Sequence, residues 1–449
     1  MSSTSSDIEI LASQIEESAR GAGADDAECM VRRIHSLRIE VKDGKPEGIR
    51  RSEETSAALR VLLDGKREGF AFTTAPDEKG FAGFARDAID AARLLPPMEE
   101  NRFSKAETIG STEGLFDAKG FEIPFENKVL FAAETEAAVL GADERVEQAH
   151  KPSYQEQRRG TAIASGGRVW SYEDSVFSLS VQAVARSGEE SQSGHDFAVS
   201  RRLSDLLPGQ VGQNAAKEAV QLLGGLPPDT GTFPALFPPK VALDLLGALI
   251  ASFSAEEMQK GRSRLVDKRG ERLFSEILTI IDDGTMPWRT GSMPFDDERV
   301  PPVSRKLVDN GVVSGCMHTL KTAARWSEEP TGSASRGALT GAPMPGPSNL
   351  YIQEGKDPIE SLVPSGLSVR FNSLMGAHMM DRVSGDFSLG AAGHILHNGE
   401  PERPFRNGTV SGNLFELMAS LAGVGDDLSF YGSLGSPTLL FESVIISGS

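Results

Sequence analysis

Ala57-Ala58-Leu59-Arg60-Val61-Leu62-Leu63, then Asp64-Gly65, then Gly69-Phe70-Ala71-Phe72 is the stretch that decides the fold class of the first part of this chain. A short apolar run ending at Asp-Gly and answered by a second apolar run predicts a buried β-hairpin. The sequence around it agrees. Upstream, Glu28 to Val41 alternates loosely, as a strand does. Before that, Ile8, Leu11, Ala12, Ile15 and Ala19 recur at helical spacing over Asp7 to Arg20, and Gly21-Ala22-Gly23 stops the run. Downstream, Glu78 to Leu95 predicts a second helix that ends at Pro96-Pro97.

The same order then recurs. Asn127 to Leu140 is helical, Val169 to Ala185 alternates, and Leu206 to Leu223 is helical again before Gly224-Gly225. Arg50-Arg51-Ser52 precedes one set of strands, and Arg158-Arg159-Gly160 with Ser165-Gly166-Gly167 precedes the other. This predicts two related helix–meander–helix units. Leu226-Pro227-Pro228-Asp229 reads as a boundary, followed by one long helix over 239–260 and then short strands broken by Gly, Pro, Ser and Asn. The expectation is an α+β protein: α/β units over 1–110 and 111–227, then a strand-rich C-terminal domain over 228–449.

Composition narrows the function classes. The 449 residues carry 46 Lys and Arg against 64 Asp and Glu, a formal net charge of −18. Such a field repels phosphate backbones and anionic membrane surfaces, so direct nucleic-acid binding is not expected. No apolar run reaches the ~20 residues that span a bilayer. The opening MSSTSSDIEILASQIEE lacks the cationic flank and apolar core of a signal peptide. A cytoplasmic location with no membrane contact is the expectation.

Motifs for common chemistries are missing. The sequence holds no GxGxxG, GxxxxGK[ST] or GxSxG. Cys316-Met317-His318 puts a thiol and an imidazole on one face of a strand, without a third ligand nearby in sequence. His394 and His397 face opposite sides if Gly390 to His397 is a strand. Glu256 and Glu257 are adjacent on a helix and cannot chelate one ion together. The expectation is no metal site and no catalytic residue. Asp282-Asp283, Asp296-Asp297-Glu298 and Asp426-Asp427 read as turn and cap residues.

The second half nevertheless carries a long ordered series of short motifs. They include Lys260-Gly261-Arg262-Ser263, Gly291-Ser292-Met293-Pro294-Phe295-Asp296-Asp297-Glu298, Thr331-Gly332-Ser333-Ala334-Ser335-Arg336 and Ser384-Gly385-Asp386-Phe387-Ser388. Gly390-Ala391-Ala392-Gly393, Asn398-Gly399-Glu400 and Gly425-Asp426-Asp427 follow in order. This series resembles the TldD/PmbA family, and its PmbA (TldE) branch in particular. Arg299 stands where the family usually has glycine, and Ser333 where it usually has asparagine.

The resemblance implies a cytosolic zinc metallopeptidase system for unfolded or leader-bearing peptides. In it a TldD-type subunit carries HExxxH on a helix, and a PmbA-type subunit without that motif pairs with it. The corresponding helix here, Val241 to Phe253, has no histidine in any register. The chain is therefore expected to be non-catalytic by itself and to hold no cofactor, with zinc in an HExxxH-bearing partner. A dimer is expected, with a homologous TldD-type subunit or with itself, acting on a peptide. Arg336, Asp386 and Ser388 are the expected substrate-binding residues, on the Gly-rich loops. A stand-alone hydrolase of another mechanism and a regulatory binding protein, such as a modulator of DNA gyrase, are the alternatives.

Overall fold

The computed structural model of the protein describes residues 3–448 other than 338 and 357. Helix α1 (Ser3–Gly21) leads into strands β1 (Asp26–Lys42), β2 (Lys45–Leu63) and β3 (Arg67–Thr73), and helix α2 (Phe81–Leu94) follows. After a connection come α3 (Ala118–Glu122) and α4 (Phe125–Leu140), then β4 (Val146–Ser165), β5 (Arg168–Ser187), β6 (Glu190–Ser200) and α5 (Pro208–Gln221). Each meander thus lies between helices, α1 and α2 in one case, α4 and α5 in the other.

The two meanders form one sheet, ordered β3-β2-β1-β4-β5-β6, because β1 pairs antiparallel with β4 along most of its length. Its cores are shared in the same way. Ala27, Cys29 and Val31 of β1 join the core under α1 and α2, whereas Leu37, Ile39 and Val41 of the same strand join the core under α4 and α5. Ala162 and Ala164 of β4 lie in the first core. A break near residue 110 therefore divides the repeat in sequence without dividing the sheet.

Arg50-Arg51-Ser52 and Arg158-Arg159-Gly160 lie inside β2 and β4, not ahead of them as the sequence suggested. Those strands run longer than their apolar parts. The outer half of β2 is mostly exposed, and cross-strand pairing holds the β4 charges, with Arg159 opposite Asp174.

The remaining chain builds two further sheets. Their elements are β7 (Gly231–Phe237), α6 (Pro239–Leu249), α7 (Ala255–Gln259), β8 (Ile280–Asp283), β9 (Ser304–Asp309), β10 (Val312–Val313) and α8 (Leu320–Trp326). Short strands β11 (Ala334–Ser335), β12 (Met344–Pro345) and β13 (Leu350–Ile352) follow, then β14 (Leu367–Met375), β15 (Asp386–His397) and β16 (Glu400–Asn413). The chain ends with α9 (Leu414–Ala419), β17 (Leu421–Val424), β18 (Ser429–Tyr431), β19 (Leu434–Ser436) and β20 (Leu439–Gly448). One sheet has the order β10-β9-β8-β13-β19-β18 and the other β16-β15-β14-β7-β20-β17. In the second, β16 also pairs with β20, which closes β7, β14, β15, β16 and β20 into a ring. Phe237, Phe371, Phe405 and Phe441 fill its core.

The single helix expected over 239–260 is broken. After α6 a 3-10 turn covers Ile250–Phe253, Ser254 turns extended, and α7 starts afresh. The extended residue lets the chain bond to another strand: Met317 N–H donates to the Phe253 carbonyl at 2.8 Å, and Ala255 N–H donates to the Met317 carbonyl at 3.0 Å. Ser254 then caps α7 by accepting from Glu257 N–H. Ser254-Ala255-Glu256-Glu257 is a helix-start pattern.

The N-terminal sheet carries its helices on one face and packs its other face on the C-terminal domain. Met30, Ala58 and Ile163 meet Phe295 and Leu339 there, while Ala57, Leu59 and Val61 face the helices. Burial on both faces is why 57–63 is apolar on both sides of the strand, with Arg60 its one charged residue.

Candidate functional site

Helix α6 lines a cleft of about 560 Å³ between the N-terminal sheet domain and the C-terminal domain. Lys240, Leu243, Asp244, Gly247 and Ala248 of α6 form one wall. Phe197 of β6 and Glu218 of α5 come from the N-terminal side, and the segment after β14 supplies His378 and Arg382. Pro239 at the first turn suits a helix start because its missing N–H would be unpaired there anyway.

Lys240 holds the cleft together. Its ammonium lies 3.1 Å from Glu218 Oε2 and 3.8 Å from Asp196 Oδ1, and it donates to the His195 carbonyl. Burial, then the nearby Lys240 charge, pushes the His195 imidazole below its ordinary value. Phe197 packs edge-on against Tyr431 at 5.6 Å, so β6 meets β18 at the rim. Asp244 makes no hydrogen bond or ion pair among the described residues. Burial pushes its carboxyl up to about 6 against the pull of Lys240.

These groups do not fit a zinc ion. A catalytic zinc takes three protein ligands, and the cleft offers His378 with the Asp244 and Glu218 carboxyls, of which Glu218 is already paired with Lys240 at 3.1 Å and Asp244 has that lysine one turn away. Among the described residues no group of three or more His, Cys, Asp or Glu side chains is placed to hold a metal. Cys316 and His318 do meet, Sγ to Nε2 at 3.1 Å, but Arg269 also lies 3.1 Å from the sulfur. Burial keeps that thiol up, in its protonated form. His394 is buried against Asn372 Oδ1 at 3.0 Å, and His397 is exposed at the strand end.

The expected substrate residues divide into two places. Asp386 and Ser388 are exposed at the start of β15, next to the loop that bears His378 and Arg382. Asn413 Nδ2 donates to Asp386 Oδ1 at 2.8 Å and to the Ser384 carbonyl at 2.8 Å, and the side chains of Asn413 and then Ser384 hold the Asp386 carboxyl below its ordinary value. Arg336 is elsewhere, and its side chain is 1% exposed. It sits 4.0 Å from Glu28 beneath the N-terminal sheet, near Arg60, and its backbone N–H donates to Asp297 Oδ2 at 2.7 Å. Burial, then the neighbouring Arg60, holds its guanidinium below the ordinary value. That position corrects the expectation for Arg336: an enclosed guanidinium in an ion cluster does not reach a peptide in an open cleft.

Sequence reasoning missed Lys240, Glu218 and Asp244. The helix start Pro239-Lys240 was legible, but the cleft exists only because α5 and β6 meet α6.

Three domain families match the chain in order: the PmbA/TldA metallopeptidase domain 1 over residues 27–92, the central domain over 119–223 and the C-terminal domain over 230–448. The Metalloprotease PmbA homolog of Haemophilus influenzae is 25% identical over 96% of this chain and 94% of its own length. A Metalloprotease TldD homolog from Buchnera aphidicola is 30% identical over only 39% of this chain and 37% of its own. A candidate modulator of a DNA gyrase from Thermotoga maritima has a similar structure, with a TM-score of 0.88 at 25% identity over 98% of this chain and 100% of that one. TldE from Thermococcus kodakarensis shares the fold, with a TM-score of 0.86 at 21% identity, 97% of this chain and 100% of its own. With all three domains matched in sequence order, the chain belongs to the PmbA/TldD metallopeptidase family.

Proposed function

We propose that this chain is the peptide-holding subunit of a metallopeptidase assembly and leaves the metal chemistry to a TldD-type partner in the cytoplasm. The observation that carries this reading is α6: a helix that lines a cleft in a metallopeptidase fold and presents Leu243, Asp244, Gly247 and Ala248 to it, with no imidazole. A scissile carbonyl needs a metal-bound hydroxide or an activated nucleophile, and among the described residues no three His, Cys, Asp or Glu side chains are placed to hold a metal. The chain's own contribution is then binding. Extended peptides are held by main-chain bonds along exposed strand ends, which favours unfolded substrates over any one sequence. Asp386 and Ser388 at the head of β15, with the loop that Asn413 braces, are the contacts proposed on this side.

The test mixes the purified chain with a homologue that contains HExxxH. The chain alone is expected to leave an unfolded peptide intact, and the mixture to cleave it until a chelator is added. Asp386→Ala is expected to slow cleavage several-fold with the melting temperature unchanged. Hydrolysis by the chain alone in excess chelator overturns the reading.

A further inference from the structure

A second cavity lies within the interdomain seam and has no α6 residue in its lining. It measures about 200 Å³ and is lined by Arg32 of β1, Arg159 of β4, Tyr172 of β5 and Arg201 after β6. Three loops of the C-terminal domain complete it: 290–293, 332–335 and 346–348. Two of them belong to motifs that mark the second half of the sequence, and the proposed function uses neither.

The charge in this cavity is not balanced. Asp174 takes Nε and Nη2 of Arg159 at 2.7 and 3.0 Å and also lies 3.1 Å from Arg201 Nη1. Asp297 takes Arg32 Nη2 at 3.1 Å. Three guanidinium groups thus face two carboxylates, which leaves one positive charge in a chain whose formal charge is −18. Arg201 is fully buried and spends its other donors on carbonyls of Arg289, Thr290 and Ser292, so it is locked in place. Donors remain unused. Arg32 Nε and Thr290 Oγ1 are buried without a partner among the described residues. Burial holds the Tyr172 phenol above its ordinary value, so it stays a donor.

A net cationic pocket with buried unpaired donors is costly unless a group that answers its charge fills it. Its volume equals about seven waters, enough for a phosphate or for the terminal residue of a chain. Ser335 and Gly337 are exposed at its edge, giving it a mouth. The loops that face it are packed backbone against backbone: a Cβ on Gly291 would lie 2.3 Å from the Ser348 carbonyl oxygen, and one on Gly332 2.4 Å from that of Pro301.

We infer that this cavity is an oxyanion-binding site, taking a carboxylate or phosphate group between Arg32, Arg159, Tyr172 and the 290–293 and 332–335 loops. Guanidinium forks suit planar or tetrahedral oxyanions. The site needs no metallopeptidase partner, so it stands or falls separately from the proposed function.

Calorimetric titration of the full chain tests it with three probes: inorganic phosphate, acetyl-alanyl-alanine with a free carboxylate, and the same dipeptide as its amide. Saturable binding of phosphate or of the free acid, with the amide silent, is expected. Phosphate alone identifies a free oxyanion, and the acid alone identifies a chain terminus. Arg32→Gln is expected to weaken binding roughly tenfold, the effect of losing one charge-assisted bond. Tyr172→Phe removes only a hydroxyl, keeps the test open if the first variant fails to fold, and is expected to weaken binding several-fold. No saturable binding of either anion, equal binding of the amide, or undiminished binding in the folded variants overturns the assignment.

Discussion

Asp244 shows what a single residue can reveal about the α6 cleft. Its carboxyl is raised from 3.8 to about 6 because burial penalises the charge more than Lys240 rewards it. A carboxyl raised in the folded state is harmless while protonated. It destabilises the fold progressively as pH climbs from the unfolded value to about 6. Asp244→Asn is therefore expected to stabilise the protein near pH 7 by roughly 1 to 2 kcal/mol, after allowing for solvent screening of a half-buried group. Below about pH 4 the gain should vanish, since both states are then protonated. Urea denaturation at the two pH values measures the difference. Arg299 is a second instructive residue. Its φ of 60° is the left-handed region that favours glycine, the residue usual at this position in the family. Its guanidinium stacks 3.9 Å from the Trp170 ring and donates to the Ala106 carbonyl at 2.6 Å, contacts that glycine cannot make. They tie the 98–117 connection to the interdomain seam.

At the scale of elements, the two N-terminal units repeat a contact as well as an order. A Cβ on Gly69 of β3 would lie 1.9 Å from the Ala88 carbonyl oxygen of α2. A Cβ on Gly194 of β6 would lie 2.2 Å from the Ala215 carbonyl oxygen of α5. In both units the last strand lets the following helix approach backbone to backbone. Gly69→Ala and Gly194→Ala are each expected to destabilise by about 1–3 kcal/mol or more, since helix and strand must part. Gly83→Ala in α2, where nothing lies within 4 Å, should instead stabilise by about 0.5–1 kcal/mol. Thermal melts of the three variants check this, and similar losses at the two strand glycines are what the repeat requires. The repeat was legible in the sequence from helix and strand order. The helix over 239–260 was not read correctly, because apolar spacing continues through Ser254 while pairing with Met317 interrupts the helix.

A seam of buried charges lies beside the apolar contact between the N-terminal sheet and the C-terminal domain. Arg60 lies at its centre, 4% exposed, with Glu28 at 3.2 Å, Glu68 at 2.6 Å and Glu298 at 3.3 Å. Burial opposes its charge, but Glu68, Glu298 and Glu28 together hold it above its ordinary value. Removing it leaves buried carboxylates unpaired, so Arg60→Met is expected to cost about 3–5 kcal/mol. Chemical denaturation of the variant should show the loss persisting in high salt, because a buried pair is poorly screened. The same seam encloses Arg336 and the oxyanion cavity, so both depend on the domains staying docked.

By itself the sequence determined the α+β class, the helix–strand order of both N-terminal units and the absence of histidine from α6. These follow from local periodicity, turn chemistry and residue type, which need no knowledge of what lies opposite. Only the tertiary structure decided that β1 and β4 fuse the two units into one sheet and that Arg336 is enclosed. It also decided that Asp244, Glu218 and Lys240 share a cleft and that Arg32, Arg159 and Arg201 converge on another. Each of those depends on which surfaces meet in space, from 22 residues apart for Lys240 and Glu218 to more than a hundred for β1 and β4, and a charged residue reads the same in sequence whether it faces water or a buried partner.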